Sequence, residues 1–133
     1  MPKHLLIACF LLFARVAVAA EPQLFHLSVA GERVENGKTL TMSYQELSRD
    51  AGSSVVEVSF VSGGSVSASM FTLRGSCALA RARGEQFFRV MTVSREPIRF
   101  ELRFLPEASE AQRHPANKTE KVFSRGECSL LGF

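Results

Sequence analysis

Ile98-Arg99-Phe100-Glu101-Leu102-Arg103-Phe104-Leu105 alternates apolar and charged side chains almost to its end, between Pro97 and Pro106. A strand points successive side chains to opposite faces, so Ile98, Phe100, Leu102 and Phe104 are assigned to a core and Arg99, Glu101 and Arg103 to water. The same period of two recurs on the N-terminal side. Residues 24–29 place Phe25, Leu27 and Val29 inward, residues 39–44 place Leu40, Met42 and Tyr44, and residues 54–61 place Val56, Val58 and Phe60. Further strands are predicted over 66–73, 77–83, 86–94 and about 121–131. Turn signals at Asn36-Gly37, Gly63-Gly64, Gly84-Glu85 and Arg125-Gly126 separate them.

Seven or eight short strands broken by glycine turns describe an all-β chain, an antiparallel β-sandwich or small barrel. We expect an immunoglobulin-like sandwich of about seven strands, as an architecture rather than a family. The chain has no tryptophan and its cysteines lie late. Little helix is expected: one short segment from Tyr44 to Asp50, announced by the capping box Ser43-Tyr44-Gln45-Glu46 and stopped by Gly52. Residues 106–120 are polar, hold two prolines and read as a surface loop.

The N-terminus has the three-part form of a secretory signal. Lys3 supplies the basic start, residues 5–13 the apolar run, and Ala17-Val18-Ala19-Ala20 the small residues before Glu21. The expected organisation is a signal peptide over 1–20, cleaved after Ala20, and a single domain over 21–133. The run is too short for a membrane span of about 20 apolar residues, so no integral membrane segment is expected in the mature chain. A competing reading takes Leu6-Ile7-Ala8-Cys9 as a lipoprotein box. Periplasmic or secreted placement follows, and Cys77 and Cys128 are then expected to form a disulfide, closing a loop of about 50 residues. The alternative is a reactive thiol or a metal-binding pair. Removing Lys3 and Arg15 with the signal lowers the net charge from +3 to +1, so nothing global asks for nucleic acid as partner. Twelve arginines to four lysines hint at a GC-rich bacterial genome.

Candidate chemistry is sparse. The mature chain offers His26, His114 and the single aspartate Asp50 to a hydrolytic triad, and Gly63-Gly64-Ser65-Val66-Ser67 lacks the last glycine of a nucleophile elbow. Met42, Met70 and Met91 fall in predicted strands and read as core rather than copper ligands. Gly63-Gly64, read as preceding a strand, has no helix behind it to bind phosphate. Zero Trp and one Tyr speak against carbohydrate stacking. The sequon Asn117-Lys118-Thr119 matters only in a eukaryotic host. No catalytic residue, metal ligand or cofactor is therefore assigned, and the chain is expected not to be an enzyme.

The most suggestive stretch runs from Arg74 to Arg103, with Arg74, Arg81, Arg83, Arg89, Arg95, Arg99 and Arg103 against Glu85, Glu96 and Glu101. Closing a hairpin at Gly84-Glu85 gives two partly apolar faces. The plain reading is a central strand pair with arginines at its tip. The sharper one makes Arg81, Arg83, Phe87, Arg89 and Met91 a binding patch, because aromatics, Met and Arg are enriched at interfaces. The leading expectation is an exported, non-enzymatic module that binds another protein, an acidic one, through a sheet edge or this hairpin, as a periplasmic inhibitor or immunity protein would. Alternatives are a structural envelope or fibre subunit, and then a small hydrolase or a metal-binding protein. Arg99-Phe100-Glu101-Leu102-Arg103-Phe104 is a strand pattern shared by unrelated proteins and names no family.

Overall fold

A computed structural model describes residues 20–34 and 37–133. The expected signal segment as far as Ala19, with Cys9, and Asn36 of the Asn36-Gly37 turn lie outside them. The order of elements is β1 (His26–Arg33), β2 (Thr39–Arg49), β3 (Ser53–Ser62), α1 (Ser65–Ala82), β4 (Phe87–Arg95), β5 (Ile98–Leu105), α2 (Glu110–Arg113), a 3-10 turn (Lys118–Glu120), β6 (Val122–Ser124) and α3 (Arg125–Leu130). The strands form one antiparallel sheet in the order β1-β2-β3-β5-β4-β6, curled into a half-barrel.

The chain is thus mostly antiparallel β with one disulfide, but the expected sandwich is corrected: among the described residues there is one sheet, and the layer opposite it is a helix. Strands predicted over 66–73 and 77–83 are the single helix α1. Its buried positions Phe71, Gly75, Ser76, Leu79 and Ala80 recur at helical spacing. Ala78, Leu79, Ala80, Arg81 and Ala82 all favour a helix. The reverse correction falls on residues 44–50, where β2 runs unbroken to Arg49, paired with β1 on one side and β3 on the other. Two ladders outweigh a local capping signal. The expected last strand shrinks to β6, because Ser124 and Glu127 form a complete capping box that starts α3. Residues 106–120 are largely irregular but carry α2 and the 3-10 turn.

Every strand residue assigned inward by alternation lies on the face turned toward α1. Register shows it: Leu27 pairs with Tyr44, Met42 with Phe60, Val58 with Ile98, Val56 with Phe100 and Phe88 with Phe104. Tyr44, Val56, Leu79, Phe88 and Leu102 are the sealed centre of the core. Helix and sheet meet most closely at Gly75, where a Cβ would stand 2.5 Å from Cδ2 of the Tyr44 ring. Cys77 of α1 and Cys128 of α3 are bonded, Cα to Cα 5.8 Å, an ordinary disulfide spacing. The bridge links two helices, not two strands.

Candidate functional site

Gly75 seats α1 on the β2 side of the sheet, and on its other flank the helix presents small side chains. Ala68, Ser69, Thr72 and Ser76 lie three, four, seven and eleven residues after Ser65, which puts all five along that flank. Opposite them the curled sheet turns up Met42, Val58, Phe60, Val90, Ile98 and Phe100, with Phe123 of β6 at one end. Small residues cannot bridge the gap, and a cleft of about 680 Å³ remains. That lies within the range of roughly 300–1,000 Å³ that small-molecule sites occupy. Among the described residues no charged side chain lines it.

Three of the four hydroxyls of the helical flank are already spent as donors. Ser69 donates to the Ser65 carbonyl at 3.0 Å, Thr72 to Ala68 at 2.9 Å and Ser76 to Thr72 at 2.9 Å. Ser76 Oγ also lies 3.0 Å from the Tyr44 hydroxyl. Since Ser76 gives its own proton to Thr72, the phenol is the donor in that pair. Burial pushes the Tyr44 phenol pKa well upward, so it keeps its proton. Toward the cleft the flank therefore offers methylenes, methyls, the Leu73 side chain, spare oxygen lone pairs and the Ser65 hydroxyl, a weakly polar wall.

Gly63 lines this cleft, and Gly63-Gly64 corrects a second expectation. The pair leads into a helix and not a strand, with Gly64 as the N-cap of α1.

The residues singled out from sequence are dispersed. No hairpin forms at Gly84-Glu85. Gly84, at φ 72°, ends α1 instead: its N–H donates to the Arg81 carbonyl and that of Glu85 to Ala80, the double bond of a Schellman motif. Arg81 sits exposed in the last turn and donates to the Phe133 carbonyl at 2.5 Å. Arg83 is a clamp on the β2–β3 turn. It donates to the Ser53 carbonyl at 2.6 Å and to Ser54 Oγ at 2.8 Å, and its guanidinium lies 4.8 Å from the centre of the Phe104 ring. Phe87, Arg89 and Met91 do share one face of β4, the face turned away from α1, and all three are half-buried. Arg89 pairs directly across the strands with Arg103. Among the described residues its Nε is buried without a hydrogen-bond partner.

Among the described residues the one fully buried acid is Glu46, which the sequence placed in a helix start. Its carboxylate accepts from the Phe25 N–H at 2.8 Å, from Arg49 Nε at 2.8 Å and Nη2 at 2.6 Å, and from Ser54 Oγ at 2.7 Å. Burial works to raise its pKa, but the hydrogen bonds from Arg49, Ser54 and Phe25 together with the Arg49 charge outweigh it and hold the carboxyl below its ordinary range. With its lone pairs so engaged, Glu46 serves as a brace between β1, β2 and β3. Of the histidines, His26 is exposed on β1, and His114 stands between Arg113 and Pro115 in the pocket they share with Lys118 and Lys121. Among the described residues no three His, Cys, Asp or Glu side chains gather as metal ligands would.

The cleft escaped sequence reading because its helical wall was assigned to strands. The signal was the recurrence of Ser, Ala and Thr at 65, 68, 69, 72 and 76, which a hydrophobic periodicity does not register. No known family model, curated protein or solved structure matches the chain.

Proposed function

We propose that this is an exported, non-enzymatic binding protein whose ligand is an apolar small molecule held in the cleft between α1 and the sheet. The uncharged cleft of about 680 Å³ carries the reading. Apolar surface left open to water is unfavourable by about 25 cal/mol per Å², and a ligand that covers it recovers that energy. Export accords with the Cys77–Cys128 disulfide and with the lack, among the described residues, of a helix long and apolar enough to cross a membrane. The test is titration with a neutral dye that fluoresces in apolar surroundings. Saturable binding of one dye per chain is expected, lost in Ser69→Trp, which fills the cleft from an exposed helical position. A folded wild-type protein that binds no dye would overturn the reading.

A second reading keeps the protein partner, an acidic one, on the opposite face of the sheet. Its support is Arg89, which stands opposite an Arg103 already paired with Glu101 at 3.1 Å and keeps a buried Nε without a partner among the described residues, beside half-buried Phe87 and Met91. Directly opposed like charges destabilise a sheet unless a counter-charge relieves them. Affinity capture from a periplasmic extract tests it. A partner retained by wild type and released by Arg89→Glu/Arg103→Glu is expected; retention by both would place the contact elsewhere.

A further inference from the structure

The cleft is uncharged inside, but its rim is not, and the rim bears on what kind of apolar molecule belongs there. At the β4–β5 turn the register runs Arg95 opposite Ile98. Ile98 lines the cleft, so Arg95, as its cross-strand partner, stands on the same side of the sheet at the edge of the opening. Arg95 is exposed, and among the described residues no hydrogen bond or ion pair engages it. Glu96 follows in the turn, and no ion pair joins the two.

The other cation near the apolar walls is already neutralised. Lys121 lies 5.1 Å from the centre of the Phe123 ring, but its ammonium is 2.8 Å from Glu127. Arg99, next along β5, is paired with Glu57 at 2.9 Å on the opposite face. Arg74, on the other flank of α1, faces Glu32 at 3.8 Å. Arg95 is thus the uncommitted positive charge at the mouth of an otherwise neutral apolar cleft.

We propose that the ligand is an anionic single-chain amphiphile, its hydrocarbon chain in the cleft and its carboxylate or phosphate head at Arg95. The inference rests on the apolar-ligand reading above and adds the head group. A guanidinium at an open rim pairs with an anion while the head stays partly hydrated, which avoids the cost of burying a charge. The chain supplies most of the affinity and Arg95 the choice between charged and neutral heads.

The experiment compares dodecanoate with dodecanol, each displacing the neutral dye from the purified protein, for wild type, Arg95→Ala and Arg95→Glu. Both ligands are expected to bind wild type. Each methylene added from octanoate to dodecanoate should tighten binding about fourfold. Arg95→Glu is expected to weaken dodecanoate about tenfold and leave dodecanol within twofold, with Arg95→Ala between, and 0.5 M salt should narrow the difference. Dodecanol binding with dodecanoate indifferent to both substitutions would overturn the head-group assignment and leave the cleft standing. Failure of both ligands and of the dye would remove the cleft itself. Sizing chromatography accompanies the titration: a dimer that excludes all three would assign the cleft to a second copy of the chain and overturn the proposal.

Discussion

Gly75 sets how closely α1 approaches the Tyr44 ring of β2. Glycine within a helix ordinarily costs about 1 kcal/mol relative to alanine, yet here it stands in the middle of α1 over the Tyr44 ring. Gly75→Ala would gain the propensity and then drive a methyl into a ring carbon 2.5 Å away. Overpacking of a tight core costs roughly 1–3 kcal/mol, so a net loss of stability is expected in chemical denaturation. Glu46 yields a pH prediction. Its carboxyl ionises at lower pH folded than unfolded, so as acid is added the unfolded chain takes up the proton first. The stability it contributes is complete above its unfolded pKa of about 4.3 and is lost as pH falls through the lower folded value. Glu127 is lowered too: burial works to raise it, and the Lys121 bond and charge with the Ser124 N–H outweigh that. Thermal melts are therefore expected to decline below about pH 4.3. Glu46→Gln should be less stable at pH 7 and show a flatter acid limb; a limb as steep as wild type would relieve Glu46 of the role.

At the scale of elements, three of the attachments that hold α1 reach separate parts of the fold. These are the Gly75 contact, the Arg83 clamp on the β2–β3 turn, and the Cys77–Cys128 bridge to α3. The bridge closes 51 residues of chain, and removing such a disulfide from a small domain costs about 2–5 kcal/mol. Cys77→Ala/Cys128→Ala is expected to melt lower by that order and to lose amide protection first in α3, as hydrogen exchange would show. The strands 24–29, 39–44, 54–61 and 98–105 and their inward faces were legible in the sequence because alternation survives whichever partners the strands find. The helix was not. Val66, Ala68 and Met70, then Cys77 and Leu79, mimic a period of two, and Gly75 reads as a break. Gly75 in fact sits where the helix must touch a ring that lies 31 residues earlier in the chain, which no local window contains.

Over the whole molecule, a single sheet with one long helix replaces two facing sheets, and that substitution creates the cleft. A second sheet would have met β3, β5 and β4 with large apolar side chains. A helix seated toward β2 leaves Val90, Ile98 and Phe100 to line a space. Filling it should raise stability as binding falls. Thr72→Phe is accordingly expected to melt a few degrees higher than wild type and to lose the apolar dye, and a lower melting temperature with binding intact would show the cleft to be closed at that position.

The residues by themselves determined which strand faces are apolar and that Cys77 and Cys128 pair. These follow from alternation and composition, which act over a few residues at a time or over the chain as a whole. Only the tertiary structure decided that residues 65–82 are helical, that Arg81 and Arg83 leave Arg89 for opposite ends of other contacts, and that a cleft opens beside α1. Each of those depends on contacts between segments far apart in sequence. Helix and strand compete within about 1 kcal/mol per residue in local propensity, and the partner that covers the sheet settles the choice.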